Sequence, residues 1–432
     1  MKKTLRRILL LSLLASTFSN TASAQNWKEV INAGVGLYAG GPVTADSSGY
    51  LYGVNFDGGT GQCYYGCGQV YRFQPNGHRL SAFLYDFTGT TDGNGPSGSV
   101  ILDAKGNIYG VTYAGGDLTA CGGQGCGVVY ELSPGSSGWT ESVLYNFEGG
   151  SDGIDPVSII FDGKGNIFGL TASGGGSFNC QYGTDCGIAF ELSPSTTGGW
   201  TETILHTFTG LADGGVPIGS LLLDKQGNLY GATGRGGNTA CTAGCGVIFE
   251  LSPGSSGWTF NTLYSFDGTH GATPMGSLVM DASGNLYGNA NNGARATSSH
   301  CPYGCGSTFE LSPSSSGWKL SLLHSYSNSL DGSNPYGGLL LDAKGNLYGA
   351  ANSGGSQSSY CSNGYGQGCG VIFKFSPASG GKWIFDRLYT FQGFDGFGPY
   401  GDLLMDSSGN LYGTTQQGNS YGNLFELVPP SH

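Results

Sequence analysis

The stretch FDGFGPYGDLLMD, residues 394–406, carries two carboxylates that could work together, Asp395 and Asp402. A protonated carboxyl and an ionised one flanking a sugar linkage are the machinery of glycoside hydrolysis, and their separation decides the stereochemical course. Arg235, Arg295, His270 and His300 suggest a second chemistry. Two guanidinium groups neutralise a uronate carboxylate by bidentate contacts, and a neighbouring imidazole can move the proton, as a polyuronate lyase requires. The third group is aromatic: Tyr336, Tyr360, Tyr365, Phe394, Phe397, Tyr400, Tyr421, Tyr64 and Tyr65. Amphipathic rings of this kind suit a sugar or a peptide. The chain has no Gly-x-Ser-x-Gly elbow, no His-Glu-x-x-His and no phosphate loop, so none of the common catalytic signatures is available.

What must position these residues is a repeat. The motif Asp-x-x-Gly-[Asn/Tyr]-[Leu/Ile]-[Tyr/Phe]-Gly begins at Asp46, Asp103, Asp162, Asp224, Asp281, Asp342 and Asp406, seven copies spaced 57 to 64 residues apart. Each full copy holds four short apolar runs, as in SVILD, NIYGVTY, GVVYELS and ESVLYNF, divided by Gly, Pro, Ser and Asp. Such runs read as antiparallel strands, here lettered a to d. Four strands repeated seven times predict an all-β, seven-bladed β-propeller with strand a innermost. The seventh copy ends after its c strand, GNLFELVPP, whereas NWKEVIN near the N-terminus matches the d pattern GWTESVLYNF. The N-terminal strand should therefore close the last blade and remove an exposed edge. Trp27, Trp139, Trp200, Trp258, Trp318 and Trp383 all open d strands and are expected to pack blades together.

Three stretches, GNLYGAANSGG, GVIFELSP and DGSNPYGGLLLD, resemble the Gloeobacter/Verrucomicrobia-type (GloVer) tandem repeat of bacterial exported proteins, a choice-of-anchor repeat family. The resemblance covers essentially the whole chain beyond residue 24. It implies export and repetition, and no activity comes with it. The chain ends in ELVPPSH, without the anchoring tail found in some members.

The 12 cysteines form six close pairs: Cys63 and Cys67, Cys121 and Cys126, Cys180 and Cys186, Cys241 and Cys245, Cys301 and Cys305, Cys361 and Cys369. Each pair falls in the b–c loop of one of blades 1 to 6. In an exported protein this spacing reads as disulfides within blades, each contributing on the order of 2 kcal/mol through a short loop. The rival reading, zinc, needs four converging ligands, and only His300 neighbours a pair. No metal and no cofactor are expected. Calcium at the Asp-Gly loops would be compatible with the chemistry, but no loop carries a recognisable calcium pattern.

Strand alternation places the uniform a–b and c–d turns on one face of the ring and the varied b–c and d–a loops on the other. Function is expected on the varied face. The d–a loops repeat Asp-Gly-x-x-Pro at Asp92, Asp152, Asp213, Asp331 and Asp395, with His270 in the matching place before blade 5. These carboxylates either ring the channel mouth or cap their own turns, and their regularity favours capping. Four residues before the motif Asp, the blades read Pro42, Ser99, Ser158, Ser220, Ser277, Gly338 and Asp402. That position should line the channel, which sets Asp402 apart. His206 and His324 replace a d-strand Tyr, with no obvious partner in sequence.

Residues 1–24 read as a secretory signal: Lys2, Lys3, Arg6 and Arg7, an apolar run, then Ala22-Ser23-Ala24. Residues 25–432 are then one propeller domain, secreted or periplasmic and expected to be a monomer without a membrane anchor. Cleavage would leave 13 basic against 29 acidic side chains, a net of −16, which excludes nucleic acid as a partner. The leading expectation is a non-catalytic module that binds a glycan or an extracellular protein through the b–c/d–a face. The alternative is a polysaccharide-active enzyme, lyase or hydrolase, on the same face.

Overall fold

The computed structural model describes residues 28–36, 41–75, 79–177, 179–180, 185–294, 301–356, 358, 361, 368–417 and 422–430. They form seven antiparallel sheets, each a blade of a β-propeller. Blade 2 is representative: strand a Asn94–Leu102, b Ile108–Ala114, c Val128–Gly135 and d Gly138–Asn146, hydrogen-bonded in that order. In blade 7 the order is Phe397–Met405, Leu411–Gln417, Gly422–Val428 and then Lys28–Gly36. The N-terminal strand pairs antiparallel with the C-terminal one, from Lys28 opposite Val428 to Gly36 opposite Gly422. The ring is closed as the repeat pattern predicts.

The repeat motif is turn and packing chemistry. The Asp of each a–b turn accepts backbone N–H groups two and four residues on, as Asp103 Oδ1 does from Lys105 and Asn107. Its second oxygen takes the Asn107 amide and the Tyr109 hydroxyl. One carboxylate thus ties the turn to the next strand. The Gly after that Tyr is forced by a neighbour: a Cβ on Gly110 would lie 2.3 Å from the Tyr130 hydroxyl.

Cores form between blades. Tyr52, Val54, Cys67, Val70 and Phe87 of blade 1 share a cluster with Val100, Ile108, Val128, Tyr130 and Leu132 of blade 2, and Trp139 packs against it. Trp200, Trp258, Trp318 and Trp383 repeat this at the next four junctions. Trp27 lies outside the described residues. Burying one such indole stabilises the fold by roughly 2–3 kcal/mol at about 25 cal/mol/Å².

A second seam runs round the axis. At each of the seven junctions one side chain hydrogen-bonds across the inner strands. Thr44 Oγ1 donates to Val100 O, Ser97 Oγ to Pro156 O, Ser158 Oγ to Gly219 O, and Ser220 N–H donates to Ser277 Oγ. Asn289 Nδ2 donates to Gly337 O, Gly338 N–H to Asp402 Oδ1, and Thr414 Oγ1 to Gly41 O.

All six disulfides form within blades, between the pairs that lie close in sequence, with Cα–Cα distances of 5.1–5.4 Å. Each closes a loop that grips the next blade. The carbonyl of the second cysteine (Cys67, Cys126, Cys186, Cys245, Cys305, Cys369) accepts the N–H of the residue before the motif proline, at 2.8–3.1 Å. That residue (Gly95, Asp155, Val216, Thr273, Asn334, Gly398) is left-handed in every case, with φ of 53–66°. The proline lies against the Gly after the cysteine, where a Cβ on Gly68 would come 2.2 Å from Pro96 Cδ.

Candidate functional site

The inner strands bulge at mid-length, and the bulges make the site. Register slips occur between Ser97 and Ile101, Ile218 and Leu222, Met275 and Val279, and Tyr400 and Leu404. Glycines in the left-handed region, Gly98, Gly219, Gly276 and Gly401, supply the turn. They bring the strands together so closely that a Cβ on Gly98 would lie 2.3 Å from Val157 O. Above them lies a cavity of about 280 Å³ to which all seven blades contribute.

Its polar lining comprises Ser97, Ser99, Ser158, Ser220, Ser277, Tyr113, Tyr336, Tyr400, Asp155 and Asp402; Pro42, Pro156, Val157, Ala172 and Ile218 supply apolar wall. Among the described residues no Lys, Arg or His lines the cavity. Asp155 lies at the start of strand a and Tyr113 at the end of strand b, so the cavity faces the b–c/d–a side.

Two features give it character. Tyr336 and Tyr400 lie ring to ring, centroids 4.4 Å apart, and burial together with the adjacent Tyr336 hydroxyl raises the pKa of Tyr400. Asp155 is held left-handed at φ 58° by its own N–H, which donates to Cys126 O at 3.1 Å. Its carboxyl is pushed up to about 6 by burial, and its charge, with burial, raises the Tyr113 hydroxyl in turn. A carboxyl poised near neutrality can handle a proton or attract a cation, and a second carboxylate, Asp402, lines the same cavity.

The structure distributes the sequence-derived candidates unevenly. Asp402, Tyr336 and Tyr400 reach the cavity. Asp402 is also structural, because its Oδ1 takes the Gly338 N–H at 2.5 Å. Asp395 does not line the cavity: it is 2 % exposed and accepts from the Tyr389 hydroxyl, Gln392 N–H and Gly393 N–H. The other motif carboxylates behave alike, Asp92 binding Thr88 N–H and the Tyr85 hydroxyl. Capping, not a ring of free carboxylates, explains Asp-Gly-x-x-Pro.

His206 and His324 do have partners. They contact the capping Asp213 and Asp331 at 3.1 and 3.0 Å, in the place where other blades use Tyr. His270 pairs with Asp267, and Arg235 ends strand b of blade 4; neither residue lines the cavity. Phe397 packs into the core between blades 6 and 7. Tyr64, Tyr65 and Phe394 stand on the loops, 91 %, 63 % and 61 % exposed. Arg295, His300, Tyr360, Tyr365 and Tyr421 lie outside the described residues, as does the short b–c loop of blade 7.

Asp155 and Tyr113 had no place among the sequence-derived candidates. The only cue was that Asp155 is the single acidic residue before a motif proline.

Solved structures of similar fold include a fungal alcohol oxidase of the AA5 family in complex with copper (13% identity, 94% of this chain and 77% of that one, TM-score 0.54). An ancestral GH74 enzyme is another (10% identity, 92% of this chain, 48% of that one, TM-score 0.55). A periplasmic gluconolactonase of Pseudomonas aeruginosa matches over 88% of this chain and 98% of its own, at 14% identity and TM-score 0.49. At these identities the likeness is one of fold alone. No curated protein matches by sequence. The sequence itself matches the Gloeobacter/Verrucomicrobia repeat over residues 17–184, 118–361 and 295–432, and the chain belongs to that repeat family.

Proposed function

We propose that the protein is an exported, monomeric, non-catalytic binding module whose ligand is a glycan, held on the b–c/d–a face with the channel cavity at its centre. The observation that carries this is the cavity itself, where paired tyrosines from blades 6 and 7 and serine hydroxyls from blades 2 to 5 surround apolar wall. Few well-placed polar groups on an otherwise apolar concavity are the usual make-up of a small-ligand site. Around it the same face exposes Tyr64, Tyr65, Tyr303, Phe394, Leu211 and Leu330, enough apolar surface to meet more than one sugar unit. The six disulfides suit an oxidising compartment, in keeping with removal of residues 1–24.

One observation favours the enzymatic alternative: Asp155, pushed up to about 6, shares the cavity with Asp402, a division of labour that hydrolases use. A glycan array combined with a turnover screen on purified protein separates the readings. Binding without turnover, weakened about tenfold or more by Tyr400→Ala as expected for loss of a stacking ring, supports the module. Cleavage of any polymer, abolished by Asp155→Asn, would overturn it in favour of the hydrolase.

A further inference from the structure

We propose that the channel cavity is a site for a protonated amine, so that, on the glycan reading above, the unit it selects is an amino sugar with a free amine. The argument begins with charge. Asp155 and Asp402 face the cavity, and among the described residues no basic side chain lines it. The chain as a whole carries 29 acidic against 17 basic residues. A concave, low-dielectric pocket in an acidic protein concentrates cations.

Geometry narrows the class. Asp155 is the one position in its ring of six that carries charge; the others are Gly95, Val216, Thr273, Asn334 and Gly398. Among the described residues no side chain or N–H donates to its carboxylate, while its backbone is pinned to Cys126 O. Asp402 commits Oδ1 to Gly338 and leaves Oδ2 for a ligand. A half-buried carboxylate without a donor is costly, and an ammonium group that supplies three donors removes the cost.

The Tyr336–Tyr400 pair and Tyr113 add ring faces, which attract an organic cation and stack on its carbon skeleton. Ser99 and Ser220 present hydroxyls that bond no neighbour among the described residues, suited to the hydroxyls of a sugar. About 280 Å³ is at the lower limit for small-ligand pockets, which fits one ring and not a threaded polymer. A bare metal ion would leave the tyrosines and apolar wall without a role.

The test titrates glucosamine, glucose, N-acetylglucosamine and cyclohexylamine into the purified protein, followed by calorimetry or ligand-observed NMR. Glucosamine should bind about tenfold or more tightly than either neutral sugar, the effect of one charge-assisted contact. Asp155→Asn should erase that preference, since Asn tolerates the left-handed backbone and keeps the shape. Asp402→Asn, whose side-chain oxygen still accepts from Gly338, is a second variant that removes charge without removing the staple. Equal affinity for glucose and glucosamine, or a preference that survives both variants, overturns the amine site while leaving the glycan reading intact. Binding of cyclohexylamine that depends on Asp155, with no sugar bound, upholds the amine site and sinks the glycan reading.

Discussion

Asp402 shows how one departure from a repeat can staple a blade junction while lining a cavity. Its neighbours in the other blades are Ser, Gly or Pro, and the junction it serves, between blades 6 and 7, would otherwise lack an acceptor for Gly338 N–H. Asp402→Ala should leave that N–H unpaired beside the channel and lower stability by about 1–3 kcal/mol. Asp402→Asn keeps an acceptor and should lose clearly less. Denaturant titration of the two variants reads the difference, and equal losses would deny the staple. The same residue was legible in the sequence because a repeat makes an exception visible. Asp155 was not, because it occupies a position that varies from blade to blade, and only the shared left-handed backbone shows that those positions form a ring.

At the scale of elements, the disulfide loop and the following strand act as one device. The loop presents a carbonyl, the next blade supplies a left-handed N–H donor, and a proline beds on a glycine. Glycine or asparagine suits such a backbone; Val216 and Thr273 do not, since β-branched side chains at positive φ are strained by roughly 1–2 kcal/mol. Blade 6 shows the remedy, with Asn334 in the matching place. Thr273→Asn is expected to stabilise the protein by about 1 kcal/mol, seen as a higher melting temperature with the disulfides intact. No gain, or a loss, would mean that the Thr273 side chain contributes packing that outweighs the strain. Cysteine spacing already indicated which cysteines bond to which. What the bridges hold was hidden, because their effect falls on the neighbouring blade.

Across the whole molecule, similar contacts recur between outer strands and set a pH dependence. Glu202 is pushed up to about 8, by burial first and then by Asp152, and Glu141 to about 7, by burial and then Asp92. The Tyr145 hydroxyl lies within 3.3 Å of both Asp152 and Glu202. A carboxyl that holds its proton more tightly folded than unfolded contributes stability below its ordinary pKa, and that contribution drains as pH rises through the folded value. Asp155, raised to about 6, acts in the same direction. Asp213 and Asp331 act oppositely: burial raises them, but contacts led by His206 and His324 leave both below the usual range. Their contribution is lost only in stronger acid. Melting temperature should therefore be highest near pH 5 and fall toward pH 8. Replacing Glu141 and Glu202 together by Gln should flatten that slope, and a slope unchanged in the double variant would reject the assignment.

By itself the sequence determined the blade count, the closure of the ring by the N-terminal strand and the cysteine partners. These follow from contacts between residues close in the chain or one period apart, where turn chemistry and strand alternation leave little freedom. The tertiary structure decided which carboxylates reach the cavity. Asp395 and Asp402 are near neighbours in sequence, yet Asp395 caps a buried turn while Asp402 lines the cavity to which Asp155, from a distant blade, also contributes. Residues converge there because the inner edges of seven blades meet round one axis, and no local pattern records how a ring brings distant blades together.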